Sequence, residues 1–169
     1  KTRLNYNKDL ISKDTIVYNY RPFDKRYLLY NDLFVARQNI KVLKNIFINS
    51  PGLTLCRQGV AANVEVWDSI FIINIPSDQN LYRRGGATVF PLFTYSVALG
   101  KTIRTPNLKP EIVAEISEKL GLPFAPDNDG GSTESFAPID LLDYIYAVLH
   151  SPKYRETYKE FLKIDFPRV

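Results

Sequence analysis

The sequence predicts an α+β domain with a mixed, largely antiparallel central sheet, an amphipathic helix after the first hairpin, and a carboxy-terminal helical group. Short runs rich in β-branched and aromatic residues dominate the first 90 residues, apolar residues recur at helical spacing within residues 35–47, and helical patterns prevail beyond residue 106. A chain of 169 residues that is 45% hydrophobic can bury one core. We therefore expect a single domain over residues 1–169.

The first hairpin is predicted on either side of Pro22. Residues 15–20 and 26–30 are rich in β-branched and aromatic residues, and proline restricts the backbone between them. The amphipathic helix follows at residues 35–47, where apolar residues recur at steps of four, three and four. Asp32 is a candidate cap for its start, and residues 50–52, which read Ser-Pro-Gly, should end it. The apolar stripe consists of Ala36, Ile40, Leu43 and Phe47.

Further strands and the helical group are predicted from the same kinds of signal. Pro110 suits the first turn of a helix, and Gly121 suits a left-handed helix end. One closing helix should follow Pro138, and a second should be capped by Ser151. The polar run at residues 127–135 is expected to be a loop, and it lacks the glutamate that a calcium loop needs. The middle strands are predicted at residues 53–57, 64–67, 70–75 and 87–90.

Positive charge is concentrated in the first third of the chain. Residues 1–60 hold eleven Lys and Arg against four Asp and Glu, whereas residues 61–169 hold eleven against fourteen. Such a basic segment attracts a polyanion such as DNA, although ordinary solvated surface charges would give the same count. The chain has no Met and no hydrophobic run of a signal peptide or membrane span. We expect a cytoplasmic fragment of a larger polypeptide.

Catalytic and metal-binding patterns are missing from the sequence. Cys56 and His150 are the only residues of their types, which is too few for a structural zinc site, and His150 is expected to end a helix. The Gly100-Lys101-Thr102 run lacks the first glycine of a phosphate-binding loop. No carboxylate pair is placed for acid–base catalysis. We expect no catalytic residue, no metal and no cofactor in this chain.

Arginine and amide side chains near the predicted strand ends are the candidates for DNA contacts. Arginine can read guanine and glutamine can pair with adenine in the major groove, but the same residue types also form ordinary ion pairs. The candidates are Arg57, Gln58, Trp67, Arg83, Arg84, Arg21, Arg26 and Arg37.

Three segments resemble the carboxy-terminal specificity domain of type ISP restriction–modification enzymes and of related restriction enzymes fused to adenine methyltransferases. They are residues 20–26 (Tyr-Arg-Pro-Phe-Asp-Lys-Arg), residues 90–95 (Phe-Pro-Leu-Phe-Thr-Tyr), and a long run from residue 143 to residue 168. All three occur in family order and span nearly the whole chain.

The resemblance implies a target recognition domain that binds duplex DNA beside a methyltransferase module of the same polypeptide. That module flips an adenine out of the duplex and methylates it with S-adenosylmethionine, so the surrounding bases must be read elsewhere. The Asn-Pro-Pro-Tyr motif of such methylases is absent here, so the cofactor is expected on the parent's methyltransferase domain. A parent with both methyltransferase and endonuclease activity is implied.

The matched motifs are expected to build the scaffold, with Arg21 and Asp24 forming a pair at the first turn, and the base readers are expected within residues 55–90. The alternative is a coupling module that docks on the methyltransferase core and contacts only phosphates. A stand-alone hydrolase is the third and weakest hypothesis.

Overall fold

The computed structural model describes residues 8–35, 38–57, 67–82 and 86–169. Within these ranges, the short strands precede a group of four consecutive helices, and this α+β arrangement confirms the predicted class. The helices are α1 (Lys8–Asp14), α2 (Ile40–Phe47), α3 (Pro110–Leu120), α4 (Pro138–His150), α5 (Pro152–Thr157) and α6 (Lys159–Leu162). The strands are β1 (Thr15–Arg21), β2 (Asp24–Leu29), β3 (Gly52–Leu55), β4 (Ile70–Ile73), β5 (Thr88–Pro91), β6 (Phe93–Ala98) and β7 (Lys101–Pro106).

The strands form three small antiparallel sheets instead of the single central sheet that the sequence predicts. Strands β1 and β2 form a hairpin, β3 lies between β4 and β5, and β6 and β7 form a second hairpin. The sheets stay separate because β5 ends at Pro91, which has no N–H for a ladder, and the chain turns at Leu92 before β6 begins. The pairing of the described strands is antiparallel, and two isolated bridges, Asn19–Ser77 and Phe124–Phe136, are parallel, in line with the largely antiparallel pairing predicted.

Two buried polar side chains accept hydrogen bonds from backbone N–H groups on the unpaired edge of β6. Ser50 Oγ accepts a hydrogen bond from the N–H of Phe93 at 2.9 Å, and Asn45 Oδ1 accepts one from the N–H of Tyr95 at 2.9 Å. Alternate N–H groups of a strand point to the same edge. Ser50 and Asn45 therefore supply the acceptors that a neighbouring strand would supply, and they attach hairpin β6–β7 to the end of α2.

Helix α2 begins later than the sequence predicts. Residue 35 lies outside the helix, and Asn39, at φ 46°, is its amino-terminal cap residue. The proposed cap at Asp32 is therefore wrong, and the Asp32 carboxylate instead accepts a hydrogen bond from Gln38 at 3.4 Å. Of the predicted stripe, Leu43 is buried, Ile40 and Phe47 are exposed, and Ala36 lies outside the described residues.

Most other predicted elements are confirmed. Gly121 ends α3 with φ 65°, and Ser151 Oγ accepts the N–H of Tyr154 at the start of α5. The last predicted helix is divided at Tyr158 into α5 and α6. Residues 64–66 of one predicted strand lie outside the described residues, and hairpin β6–β7 had not been predicted.

The main core joins the three-stranded sheet to the carboxy-terminal helices. Side chains from β3 and β4 meet side chains from α4 and α6, and the partly buried Ile145 and Tyr154 pack against them. Helix α4 is fixed at its start, where the Asp140 carboxylate accepts the N–H groups of Ala137 and Gly131 at 2.8 and 3.0 Å. The buried cluster is Leu53, Leu55, Trp67, Ile70, Leu92, Phe93, Leu142, Leu149 and Leu162.

Candidate nucleic-acid interface

The outer end of hairpin β1–β2 carries two guanidinium groups on one aromatic ring. The guanidinium carbons of Arg21 and Arg26 lie 4.0 and 3.9 Å from the ring centroid of Tyr20. Each such contact contributes roughly 0.5–1 kcal/mol at an exposed site. The ring therefore holds two of the candidate arginines close together at the surface of the hairpin.

Each arginine also has a carboxylate partner. The Arg26 guanidinium donates to both oxygens of the Asp24 carboxylate, with N···O distances of 3.2 and 3.1 Å from Nε and 2.8 Å from Nη2. Hydrogen bonding from Arg26 is the main reason why the pKa of Asp24 is lowered. Arg21 Nη1 lies 3.7 Å from Asp78 Oδ1 in the loop after β4.

The expected pair between Arg21 and Asp24 is therefore wrong. Asp24 and Arg26 lie two residues apart on β2 and share a face, whereas the register of β1 is irregular between Asn19 and Arg21 and the Arg21 guanidinium lies beside Asp78. Because its fork is occupied, Arg26 must release Asp24 before it can contact a guanine edge bidentately.

Arg57 lies in a different cluster, just beyond the end of β3. Its side chain is 69% exposed, and Nε lies 3.3 Å from Asp165 Oδ1. Asp165 also accepts the N–H of Phe166, which is the main reason for its lowered pKa, and lies 3.7 Å from Arg168. The contact with Asp165 joins Arg57 to the carboxy-terminal segment, and the Arg57 guanidinium remains accessible to an anionic partner.

Trp67 belongs to the core. Its residue exposure is only 7%, and the Arg155 guanidinium carbon lies 5.9 Å from its ring. Because the ring is packed among aliphatic side chains, it cannot stack on a base without leaving the core. The remaining candidates, Gln58, Arg83, Arg84 and Arg37, lie outside the described residues.

Hairpin β6–β7 is a second exposed cationic element that sequence reasoning missed. Residues 96–105 are all exposed, and they include Lys101 and Arg104. Arg104 lies over the ring of Phe93 at 4.5 Å and 3.7 Å from the Asp127 carboxylate. The available signal is Gly100 between two runs rich in β-branched residues, but Leu99 precedes it where hairpin turns usually hold Asn, Asp or Gly.

Cys56 and His150 have separate hydrogen-bond partners. The Cys56 thiol donates to the Gly86 carbonyl at 3.8 Å, and burial raises its pKa to about 11. His150 Nδ1 lies 3.1 Å from Arg155, and burial, followed by the Arg155 charge, lowers its pKa. A thiolate–imidazole pair is therefore not formed by these two residues.

The described part of the chain contains no group of three or more His, Cys, Asp or Glu side chains that could hold a metal ion. Gly100, Lys101 and Thr102 belong to the turn and first residues of a hairpin, not to a loop that opens a helix. Among the same residues, no helix is long and apolar enough to span a bilayer.

Solved structures that share this fold include three complexes with DNA or a DNA mimic. The DrdV–DNA complex matches with a TM-score of 0.72 at 20% identity, covering 92% of this chain and 14% of that one. The ATP-dependent Type ISP restriction–modification enzyme LlaBIII bound to DNA matches with a TM-score of 0.65 at 19% identity, covering 97% and 11%. A nuclease-deletion mutant of the Type ISP enzyme LlaGI with a DNA substrate mimic matches with a TM-score of 0.57 at 27% identity, covering 92% and 12%.

This chain therefore spans only a small part of the length of each of these proteins. Comparison with curated proteins gives no match. The family of Type ISP C-terminal specificity domains, in contrast, matches residues 1–169. The match covers the whole chain, and the chain belongs to the Type ISP C-terminal specificity domain family.

Proposed function

We propose that this chain recognises a duplex DNA sequence for a restriction–modification enzyme and positions the methyltransferase and nuclease modules of that enzyme on the site. The observation that carries the proposal is the specificity-domain family match over the whole chain. The named structural relatives are DNA complexes, which supports the same partner here. The parent is proposed to be an adenine-N6 methyltransferase with endonuclease activity, and the chemistry is assigned to its other modules.

The hairpins support this proposal physically. A two-stranded β-ribbon fits the major groove of B-DNA, and exposed Lys and Arg side chains displace counterions from phosphates. Hairpin β1–β2 presents Arg21, Lys25 and Arg26, and hairpin β6–β7 presents Lys101. We propose phosphate contacts for these cations, because two of them are already engaged by carboxylates.

The base readers are proposed to be the candidates outside the hairpins. These include the exposed Arg57 and three residues whose side chains the structure does not describe, namely Gln58, Arg83 and Arg84. Arg37 is retained as a phosphate contact, and Trp67 is assigned to the core because of its burial. S-adenosylmethionine is proposed to bind the parent's methyltransferase domain, since this chain lacks the methylase motif.

One observation favours the coupling module as a second candidate. Hairpin β6–β7 exposes Val97, Leu99 and Ile103 as well as its cations. Exposed apolar side chains on a projecting ribbon suit docking against another protein module. On this reading, the hairpin contacts the methyltransferase core and the chain makes only phosphate contacts with DNA.

The test exchanges residues 50–95 between relatives that methylate different sequences, in the native polypeptide, and maps the modified adenines by sequencing. A changed methylation site supports recognition, whereas an unchanged site combined with lower stability supports coupling.

A second experiment replaces Arg57, Arg83 and Arg84 by alanine. Each lost phosphate contact should reduce the slope of log affinity against log salt by about 0.9, and lost base contacts should relax the sequence preference. The control replaces Lys109, Lys119 and Lys153, an equal charge change on the helical part. If the parent showed no salt-sensitive binding to duplex DNA, or if the arginine triple variant kept full site preference, recognition as described would be refuted.

A further inference from the structure

The turn of hairpin β1–β2 presents an aromatic ring in an unusual backbone conformation. Pro22 and Phe23 form the two-residue turn between the paired residues Arg21 and Asp24. Phe23 has a φ of 63°, in the left-handed region that glycine and asparagine tolerate and bulky residues avoid. The residue is also 93% exposed to solvent. A large apolar side chain is thus held outward at a position where a small or polar residue would fold more easily.

Two backbone hydrogen bonds attach strand β1 to the loop after β4. The N–H of Asn19 donates to the Pro76 carbonyl at 2.8 Å, and the N–H of Asp78 donates to the Asn19 carbonyl at 2.9 Å. One edge contact orients the Phe23 ring, whose centroid lies 5.4 Å from that of Phe71 at an interplanar angle of 85°. Strained positions of this kind persist when the surrounding structure fixes them, and they cluster at functional sites.

The charge around the tip indicates what kind of partner the ring meets. Arg21, Lys25 and Arg26 lie within three residues of Phe23, and these three cations outnumber the two carboxylates beside them, Asp24 and Asp78. A cationic rim around an apolar wedge matches the surface of duplex DNA, where phosphates flank stacked bases. In minor-groove-binding proteins, apolar side chains such as Phe insert between base steps and partly unstack them.

We infer that Phe23 inserts into the base stack of duplex DNA while Arg21, Lys25 and Arg26 hold the flanking phosphates. This inference rests on the proposed function and extends it, because it assigns a DNA-distorting role to a residue outside the predicted base readers. Stacking one base on an aromatic side chain changes affinity by roughly 5- to 150-fold. The contact is insensitive to base identity, so it stabilises a distorted duplex without selecting the sequence.

The test uses the native polypeptide that carries this chain and duplexes with 2-aminopurine at successive positions of the methylated site. Unstacking raises the fluorescence of this base analogue. Besides the rise at the flipped adenine, the wild-type protein is expected to raise the fluorescence at a second step, and Phe23→Asn should abolish that second rise and weaken binding about tenfold or more. A second rise that persists in Phe23→Asn reports unstacking by another element and counts against the inference.

Two controls separate insertion from structural damage. Tyr27→Ala removes another exposed aromatic ring, 80% accessible, from strand β2 of the same hairpin, and should change neither signal by more than about twofold. Phe23→Asn should melt at or above the wild-type temperature, because asparagine tolerates the left-handed backbone. Phe23→Gly serves the same purpose if the asparagine variant fails to fold.

Three outcomes would overturn the inference. The first is an unchanged fluorescence pattern and affinity in both Phe23 variants. The second is a lower melting temperature with an unchanged pattern, which assigns Phe23 to the stability of the fold through its contact with Phe71. Salt-sensitive binding that survives either outcome leaves the proposed function intact. The third is the absence of DNA binding by the wild-type protein, which removes both.

Discussion

Replacing Asn45 by alanine should loosen hairpin β6–β7 from helix α2. Asn45 is only 3% exposed, and its carboxamide oxygen accepts the N–H of Tyr95 at 2.9 Å. Alanine leaves this N–H without an acceptor in a partly buried position, which costs about 1–3 kcal/mol. The bonds from Asn45 Nδ2 to the carbonyls of Lys41 and Val42 contribute little, because a helix interior already employs its carbonyls.

Urea unfolding of the chain, followed by circular dichroism, measures this loss. The free energy of unfolding should fall by about 1–3 kcal/mol, and hydrogen exchange at the Tyr95 amide should accelerate. Asn74→Ala is the matched control, since Asn74 is an exposed asparagine after β4 and its loss should change stability by less than about 0.5 kcal/mol. If Asn45→Ala matched that control and left Tyr95 exchange unaltered, the edge-capping role assigned to Asn45 would be refuted.

Three further predictions concern the packing around Gly52, the pH dependence of stability that Cys56 causes, and the cap of α5. Gly52→Ala would place a Cβ 2.8 Å from Ile46 Cδ1 and 3.3 Å from the Phe90 carbonyl oxygen. The free energy of unfolding, measured in urea, should therefore fall by about 1–3 kcal/mol. An unchanged value would show that the sheet shifts to accommodate the methyl group. Burial raises the pKa of Cys56 from 9.0 to about 11, so the unfolded chain releases this proton first. The free energy of unfolding should therefore decline as pH rises from about 9 to about 11, and urea titrations across that range should show a smaller decline for Cys56→Ala. An equal decline in the wild type and the variant would contradict this prediction. Ser151→Ala removes the cap of α5 and should lower the thermal midpoint, at a cost of about 1 kcal/mol, whereas the conservative Ser151→Thr should retain most of the stability.

Local signals made some elements predictable from the sequence. The hairpin around Pro22, the left-handed end at Gly121 and the cap at Ser151 each depend on residues adjacent in the chain. The start of α2 was placed too early because the apolar spacing gives no signal for the left-handed cap residue Asn39, after which the helix begins. Hairpin β6–β7 was missed because Leu99 adopts a φ of 51° in a turn position that usually holds Asn, Asp or Gly.

The candidate site was less predictable because its partners are distant in the sequence. Arg21 pairs with Asp78 and Arg57 with Asp165, and no local pattern indicates either pair. Trp67 shows the same difficulty, since an aromatic ring suits both a base contact and a core, and only packing distinguishes them. The outward ring of Phe23 could not be inferred either, because hydrophobic residues at turns are ordinarily expected to be covered.

The division of the strands into three small sheets has a consequence for how the chain acquires its structure during synthesis. Each hairpin pairs strands separated by two residues, so β1–β2 and β6–β7 can close as soon as they leave the ribosome. The main core differs, because Leu53 and Ile70 remain uncovered until Leu149 and Leu162 have been made. A nascent chain therefore carries locally paired strands but leaves the main core exposed until α4 and α6 have been made. A product truncated before α4 should expose these apolar side chains, and it should aggregate or be degraded by proteases.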